Sequence, residues 1–341
     1  MLTFLLVACA GEPAITIDDT DGGGGKDSGK DTVDPVEDPT FTFTFTGTTT
    51  GRALLVQYID DTDTWATGDV VTSAALTSSS QSIHVDDPPE AVQVTYDEYP
   101  DTQFGFAAAA VYDDADGDVS QDFGEVFVAT DIMLLWIGGE VVPDAFETGG
   151  AELGWNALAI RSLSSDLQVY EPTNVPLEIH EPREEITVGG DYVGAAADIG
   201  VLAAPYVMLD GGMVTSYLHD APLDGNSFTV TFSGEPPADH FSDDDGDGFE
   251  EAGELLLSYA DNAPPDGYGT GDEIKYPACF DSQIVLLYWL DGFDDLARAT
   301  IYGSMGLTAG WNAVTSDGAD GLGILDDTNL TSLTMAQTCG F

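Results

Sequence analysis

The sequence predicts an all-β protein, built as two tandem antiparallel β-sandwich domains from an internal duplication. Three observations carry this expectation. Short strand-like segments are separated by clusters of Asp, Gly and Pro, no long stretch keeps a helical period, and three landmarks recur in the same order. The 341 residues suffice for two cores, and 43% apolar content is that of a globular chain.

The landmarks set the expected repeat. Val94-Thr95-Tyr96 followed by Pro100 answers Val230-Thr231-Phe232 followed by Pro236. The acidic run Asp114–Glu125 answers Asp243–Glu254. Leu134-Leu135-Trp136 with Gly154-Trp155-Asn156 answers Leu286-Leu287-Tyr288 with Gly310-Trp311-Asn312. Three motifs in register point to duplication. The proline-rich stretch Pro172–Arg183 marks the boundary, giving domains over 41–176 and 183–341.

Taken in order, the chain opens with an apolar run over residues 1–8 that is too short to span a bilayer. Leu6-Val7-Ala8-Cys9 resembles the lipobox of bacterial lipoproteins, although no basic segment precedes it. The resemblance implies cleavage before Cys9 and lipidation of its thiol. With Ala10 rather than Asp following, it implies an exported protein on the outer membrane or cell surface, touching the membrane through that anchor only. Residues 10–40, with Gly22-Gly23-Gly24-Gly25, Pro35 and Pro39, bury too little apolar surface to fold and read as a linker. Gly25-Lys26-Asp27-Ser28 and Gly29-Lys30-Asp31-Thr32 lack a hydroxyl directly after the Lys and are not phosphate loops.

Expected strands follow. Phe41–Thr46 alternates strictly, as a half-buried strand does. Ala53–Ile59, Ala91–Tyr96, Phe104–Tyr112, Val126–Thr130 and Ile132–Ile137 complete the first copy. Tyr206–Leu209, Ser227–Phe232, Glu254–Tyr259, Gln283–Leu290 and Ala297–Tyr302 form the second. Trp136, Trp155 and Trp311 read as core or corner residues, whereas Trp65 and Tyr268 sit in polar loops. The second copy carries an insertion over roughly 261–282. Cys279 within it and Cys339 make an even pair, read as a disulfide worth ~4 kcal/mol in the chain-entropy model.

The charge excludes several partners. Seven basic against 62 acidic side chains give −55, so nucleic acid finds no clustered Lys and Arg, and an anionic membrane surface repels the chain. Cations are the natural counter-ligands. In Asp114–Glu125, the side chains of Asp114, Asp116, Asp118, Asp122 and Glu125, with the carbonyl of Ser120, hold the ligand positions of a twelve-residue calcium loop. In Asp243–Glu254 the same places are held by Asp243, Asp245, Asp247, Glu251 and Glu254, with the carbonyl of Phe249. Gly248 fills the sharp-turn position of the second loop, but Val119 stands there in the first. Hard oxygen donors at this density suit Ca²⁺. Strand-like flanks make these connecting loops rather than helical sensors. The order Val-Thr-Phe, Pro-Pro, Asp-x-Asp-Gly-Asp and Gly-Glu resembles the transthyretin-like or Cna-B-like repeats of bacterial surface proteins. That resemblance implies immunoglobulin-like sandwich strands running into an acidic loop.

Catalysis is not expected. His84, His180, His219 and His240 are scattered, and His180-Glu181-Pro182-Arg183-Glu184 lacks the second His of a zinc protease. Gly303-Ser304-Met305-Gly306 is no nucleophile elbow. A hydrolase would require a concave pocket with a perturbed titratable group near a His. The expectation is a structural calcium-binding protein. The alternative is a recognition module for a glycan or an envelope protein.

Overall fold

The computed structural model describes residues 39–61, 66–122, 124–160, 167–195, 197–205, 216–242, 251–262, 267–269, 272–293, 295–316 and 322–337. The Cys9 motif, the linker, Trp65, residues 243–250 and Cys339 lie outside the described residues. The described chain is all-β with mainly antiparallel sheets, and no described helix is long and apolar enough to cross a membrane. It divides into two compact units, the first running to Ile179 with the addition of Asp294–Ser304, the second holding the rest.

Unit 1 contains β1 (Thr40–Thr46), β2 (Arg52–Asp61), β3 (Ala66–Ala75), β4 (Ser80–His84), β5 (Gln103–Asp113), β6 (Phe127–Gly138), α1 (Asp144–Glu147), β7 (Gly154–Ala159), β8 (Val169–Tyr170) and β9 (Val175–Glu178). The alternation in β1 does what the period demands, with Phe41, Phe43 and Phe45 buried and the threonines turned outward. β1 lies antiparallel to β4 and parallel to β9. A second sheet runs β3-β2-β5-β6-β7-β8. The phenylalanines of β1 share one core with Leu54, Val56, Ala107, Leu134 and Trp155 of that sheet. β5 and β6 are buried along nearly their whole length, so both faces are covered.

Unit 2 contains β10 (Glu185–Tyr192), β11 (Ile199–Pro205), β12 (His219–Pro222), β13 (Ser227–Ser233), β14 (Phe241–Ser242), β15 (Glu251–Ala260), β16 (Glu273–Phe280), β17 (Gln283–Leu290), β18 (Gly310–Ser316), β19 (Leu322–Ile324) and β20 (Leu333–Met335). β10 is antiparallel to β13 and parallel to β20, as β1 is to β4 and β9. The run β12-β11-β15-β17-β18-β19 repeats β3-β2-β5-β6-β7-β8. The difference is β16, which lies in the insertion and pairs with β15, β17 and β20, so unit 2 has one continuous sheet. Cys279 on β16 is buried beside Ala336 and is disulfide-bonded.

Several expectations are corrected. Ala297–Tyr302 is not a strand but lies in α2 (Leu296–Met305). The Asp295 carboxylate accepts the Arg298 N–H at 2.9 Å, the N-cap contact that starts a helix, and Leu-Ala-Arg-Ala propagates it. This segment belongs to unit 1, where Thr130 Oγ1 donates to Ala299 O at 2.7 Å. Ala91–Tyr96 is a 3-10 turn over Glu90–Val92 and one bridge at Val94, because Pro88 and Pro89 lack ladder donors. The expected strand Tyr206–Leu209 lies outside the described residues.

Ladder partners also reset the repeat. Trp136 pairs with Trp155, and Trp289 pairs with Trp311. Leu134-Leu135-Trp136 therefore answers Leu287-Tyr288-Trp289, one residue from the expected match. Pro88-Pro89 before the turn Glu90–Val92 answers Pro236-Pro237 before the turn Ala238–His240. The acidic loops are not counterparts. Asp114–Glu125 joins β5 to β6, whereas Asp243–Glu254 leads into β15, the counterpart of β5.

The Gly-Trp-Asn motif is a corner in both units. Gly154 and Gly310 have φ of +89° and +82°, and a Cβ at Gly310 would lie 2.3 Å from Arg183 O. The indole N–H groups of Trp155 and Trp311 donate to Asp86 O at 2.9 Å and Gly234 O at 3.0 Å, each two residues before the Pro-Pro pair. Asn312 accepts from Thr308 N at 3.0 Å and donates to Thr308 O at 2.7 Å, and Asn156 bonds Glu152 in the same way. Asn312→Ala removes the side-chain partner of the half-buried Thr308 N–H and C=O and is expected to cost about 1–3 kcal/mol. Urea unfolding of the full chain measures it, and an unchanged midpoint would refute the corner's role.

Candidate functional site

The first acidic loop leaves β5 beside an anchored cation. Arg52 is buried, its Nε 2.7 Å from Asp113 Oδ1, and its Nη1 donates to Thr48 O at 2.7 Å. The next residue, Asp114, is buried and brings its carboxylate together with those of the exposed Asp116 and Asp118, all within 4.8 Å of one another. Each of the three also caps the loop backbone. Asp114 Oδ1 accepts from Gly117 N, Asp116 Oδ1 from Asp118 N, and Asp118 Oδ1 from Ser120 N, at 2.8–3.1 Å.

The turn is carried by two left-handed residues, Gly117 at φ +79° and Val119 at +59°. Val119 occupies the position where the calcium-loop pattern has glycine, so the backbone adopts the turn against a β-branched side chain. Glu125 is buried and closes the loop, Oε1 accepting from Ala115 N at 2.7 Å and Oε2 from Asp122 N at 3.0 Å. The structure thus brings together Asp114, Asp116 and Asp118. The carboxylates of Asp122 and Glu125 stand outside that group, and Ser120 is exposed. Burial raises the Tyr112 hydroxyl pKa, and the carboxylates of Asp114, Glu125 and Asp118 add to the rise.

The second loop is different. Asp243, Asp245, Asp247 and Phe249 lie outside the described residues, and Glu251 begins β15. Glu254, expected as the twelfth calcium ligand, faces the core of unit 2 with no exposed surface. It stands opposite Leu287 in the ladder, and its Oε1 lies 2.6 Å from His240 Nδ1. Its place in a buried strand rather than in the loop explains the departure. His240, 1% exposed, sits at the end of the Pro-Pro turn, and its Nε2 is 2.7 Å from Ser216 Oγ. Burial, with Asp239 adding to it, pushes the Glu254 carboxyl up to about 8, and burial lowers the His240 imidazole. The sequence missed this chain of contacts because Ser216, His240 and Glu254 follow no motif spacing. The one legible sign was His240, three residues after the turn-forming Pro236-Pro237.

Other expected groups do not assemble a site. Tyr268 is not a free platform, since its ring packs edge-on against Tyr259 at 5.3 Å and its N–H donates to Asp220 at 2.8 Å. Trp65 lies outside the described residues. Unit 1 holds a cavity of about 380 Å³ lined by Trp155, Tyr170, Glu152 and Glu171 among others.

No protein-family model matches the chain, and no curated protein matches it. Among solved structures it is similar to a candidate adhesin from Bacteroides ovatus, with 12% identity over 74% of this chain and 86% of that one and a TM-score of 0.21. A likeness at that score carries no argument about function.

Val119→Gly is expected to stabilise the first loop by about 1 kcal/mol. It relieves about 1–3 kcal/mol of left-handed strain against about 0.5–1 kcal/mol of added chain entropy. A thermal melt of the variant checks the sign, and a lowered midpoint would show that the turn is not strained.

Proposed function

We propose that the chain is an exported, lipid-anchored protein of two duplicated β-sandwich domains, in which Ca²⁺ staples a strand-connecting loop. The observation that carries it is the convergence of Asp114, Asp116 and Asp118 at the first, third and fifth positions of the loop pattern, at the end of a buried strand. These are oxygen donors only, the set a hard cation with a flexible shell prefers. Divalent charge also offsets repulsion in a chain of net charge −55. The lipobox-like Leu6-Val7-Ala8-Cys9 supports the anchor, and calcium is plentiful outside the cell. Shared strand order in both units supports duplication. We assign Cys339 as the partner of Cys279, which ties the inserted strand to the C-terminal end.

A metal that binds only the folded state at 100 times its dissociation constant adds about 2.7 kcal/mol. The full chain is therefore expected to melt several degrees higher in millimolar calcium than in chelator at moderate salt. The double substitution Asp116→Asn, Asp118→Asn should abolish the difference. An identical melt with and without chelator would end the calcium reading.

A recognition role for a glycan or an envelope protein is supported by the 380 Å³ cavity beside Trp155 and Tyr170. Against it, Tyr217 is the one aromatic among the large exposed apolar side chains of the described residues.

A further inference from the structure

The two units provide an internal control for the buried contacts of unit 2. Trp136 pairs with Trp155 and Trp289 with Trp311, so Leu134 and Leu287 are equivalent, each two residues before its tryptophan. Their ladder partners across the sheet are Ala107 and Glu254. The third residues of the two turns after the Pro-Pro pairs are Val92 and His240. Where unit 2 buries an imidazole against a carboxylate, unit 1 buries a valine and an alanine within its apolar core. The fold is thus made without the polar pair. Taking two ionisable groups out of water is costly, and an apolar pair of similar volume is commonly as stable or more so. A polar pair kept at such a place calls for a use beyond packing.

Ser216 completes the arrangement. It stands three residues before β12, at the edge of the sheet, and is half-buried while its two partners are enclosed. Its Oγ is 2.7 Å from His240 Nε2, and His240 Nδ1 is 2.6 Å from Glu254 Oε1. When Glu254 is ionised, above its raised pKa of about 8, a proton on Nδ1 held by the carboxylate leaves the Nε2 lone pair facing the serine hydroxyl. These are the contacts of a hydroxyl nucleophile, its base and the group that orients the base, reached from a loop, a 3-10 turn and a strand.

We propose that Ser216 is a nucleophile, with His240 as its general base and Glu254 as the positioning carboxylate, and that the site takes a neutral carboxylic ester. Ser216 Oγ bonds to the ester carbonyl carbon as its proton passes to His240 Nε2. The C–O bond to the alcohol then breaks, and the alcohol leaves with that proton. Water, deprotonated in turn by His240, attacks the acyl-serine and releases the carboxylic acid, and the proton returns to Ser216. A neutral substrate is required because the chain's net charge of −55 repels anions. The proposal is independent of calcium in the first loop.

The test uses the full chain and a fluorophosphonate probe, with the adduct mapped by mass spectrometry after proteolysis and p-nitrophenyl acetate as a reporter ester. The expected result is one adduct at Ser216 and ester cleavage, both absent in Ser216→Ala. That substitution removes a single hydroxyl from a half-buried loop residue. His240→Gln is expected to slow labelling at least about 100-fold, the scale of a lost general base. Glu254→Gln should slow it about 10-fold or more, with the melt recorded alongside. A purely structural relay would move the melt and not the labelling. No adduct at Ser216 on the folded wild-type chain overturns the proposal, and so does equal labelling of folded wild type and folded His240→Gln. Should either partner variant fail to fold, the site of the adduct on the wild type decides alone.

Discussion

The indole hydrogen bond of the Gly-Trp-Asn corner is the constraint on which much else in each unit depends. A tryptophan buried at the start of β7 or β18 must satisfy its N–H, and it does so on the backbone carbonyl two residues before a Pro-Pro pair. That contact fixes where the following 3-10 turn meets the sheet. In unit 1 the turn delivers Val92 to the core, and in unit 2 it delivers His240 to Glu254. The glycine ahead of each tryptophan lets the chain turn left-handed, and the asparagine after it pairs the backbone of the turn. One short motif thus closes a corner, seats a large side chain and, in unit 2, fixes the turn that carries His240.

Electrostatics separates the two acidic regions. Around Asp114–Glu125 the carboxylates of Asp116 and Asp118 are exposed, those of Asp114 and Glu125 are buried but accept from backbone N–H donors, and Arg52 pairs Asp113 at the root of the loop. Glu254 carries the same letter in the repeated pattern but stands in a strand with no solvent. Desolvation there raises its pKa, and its Oε1 lies 2.6 Å from His240 Nδ1. Ser216 then satisfies the far nitrogen of the ring.

Much of the architecture was legible from local chemistry. The alternation of Phe41–Thr46, the apolar runs that became β5 and β6, and the insertion that became β16 all report a local requirement, burial on one face or on both. The convergence of Asp114, Asp116 and Asp118 follows from spacing within one loop. Misreadings arose where the outcome depends on partners distant in sequence. Ala297–Tyr302 reads equally as strand or helix until the cap at Asp295 is considered. The one-residue slip at Trp136 and the false equivalence of the acidic loops came from matching composition, whereas register is set by ladder pairing.

The sequence by itself determined the all-β fold class, the acidic composition and the carboxylate spacing of the first loop, because periodicity, composition and spacing are properties of neighbouring residues. Tertiary structure alone decided which strands pair, which unit α2 joins, and which face Glu254 presents. It alone brought Ser216, His240 and Glu254 into line across 38 residues of chain. The physical reason is that burial and hydrogen-bond satisfaction are settled by the whole packed core, and a carboxylate's chemistry follows from its surroundings more than from its place in a motif.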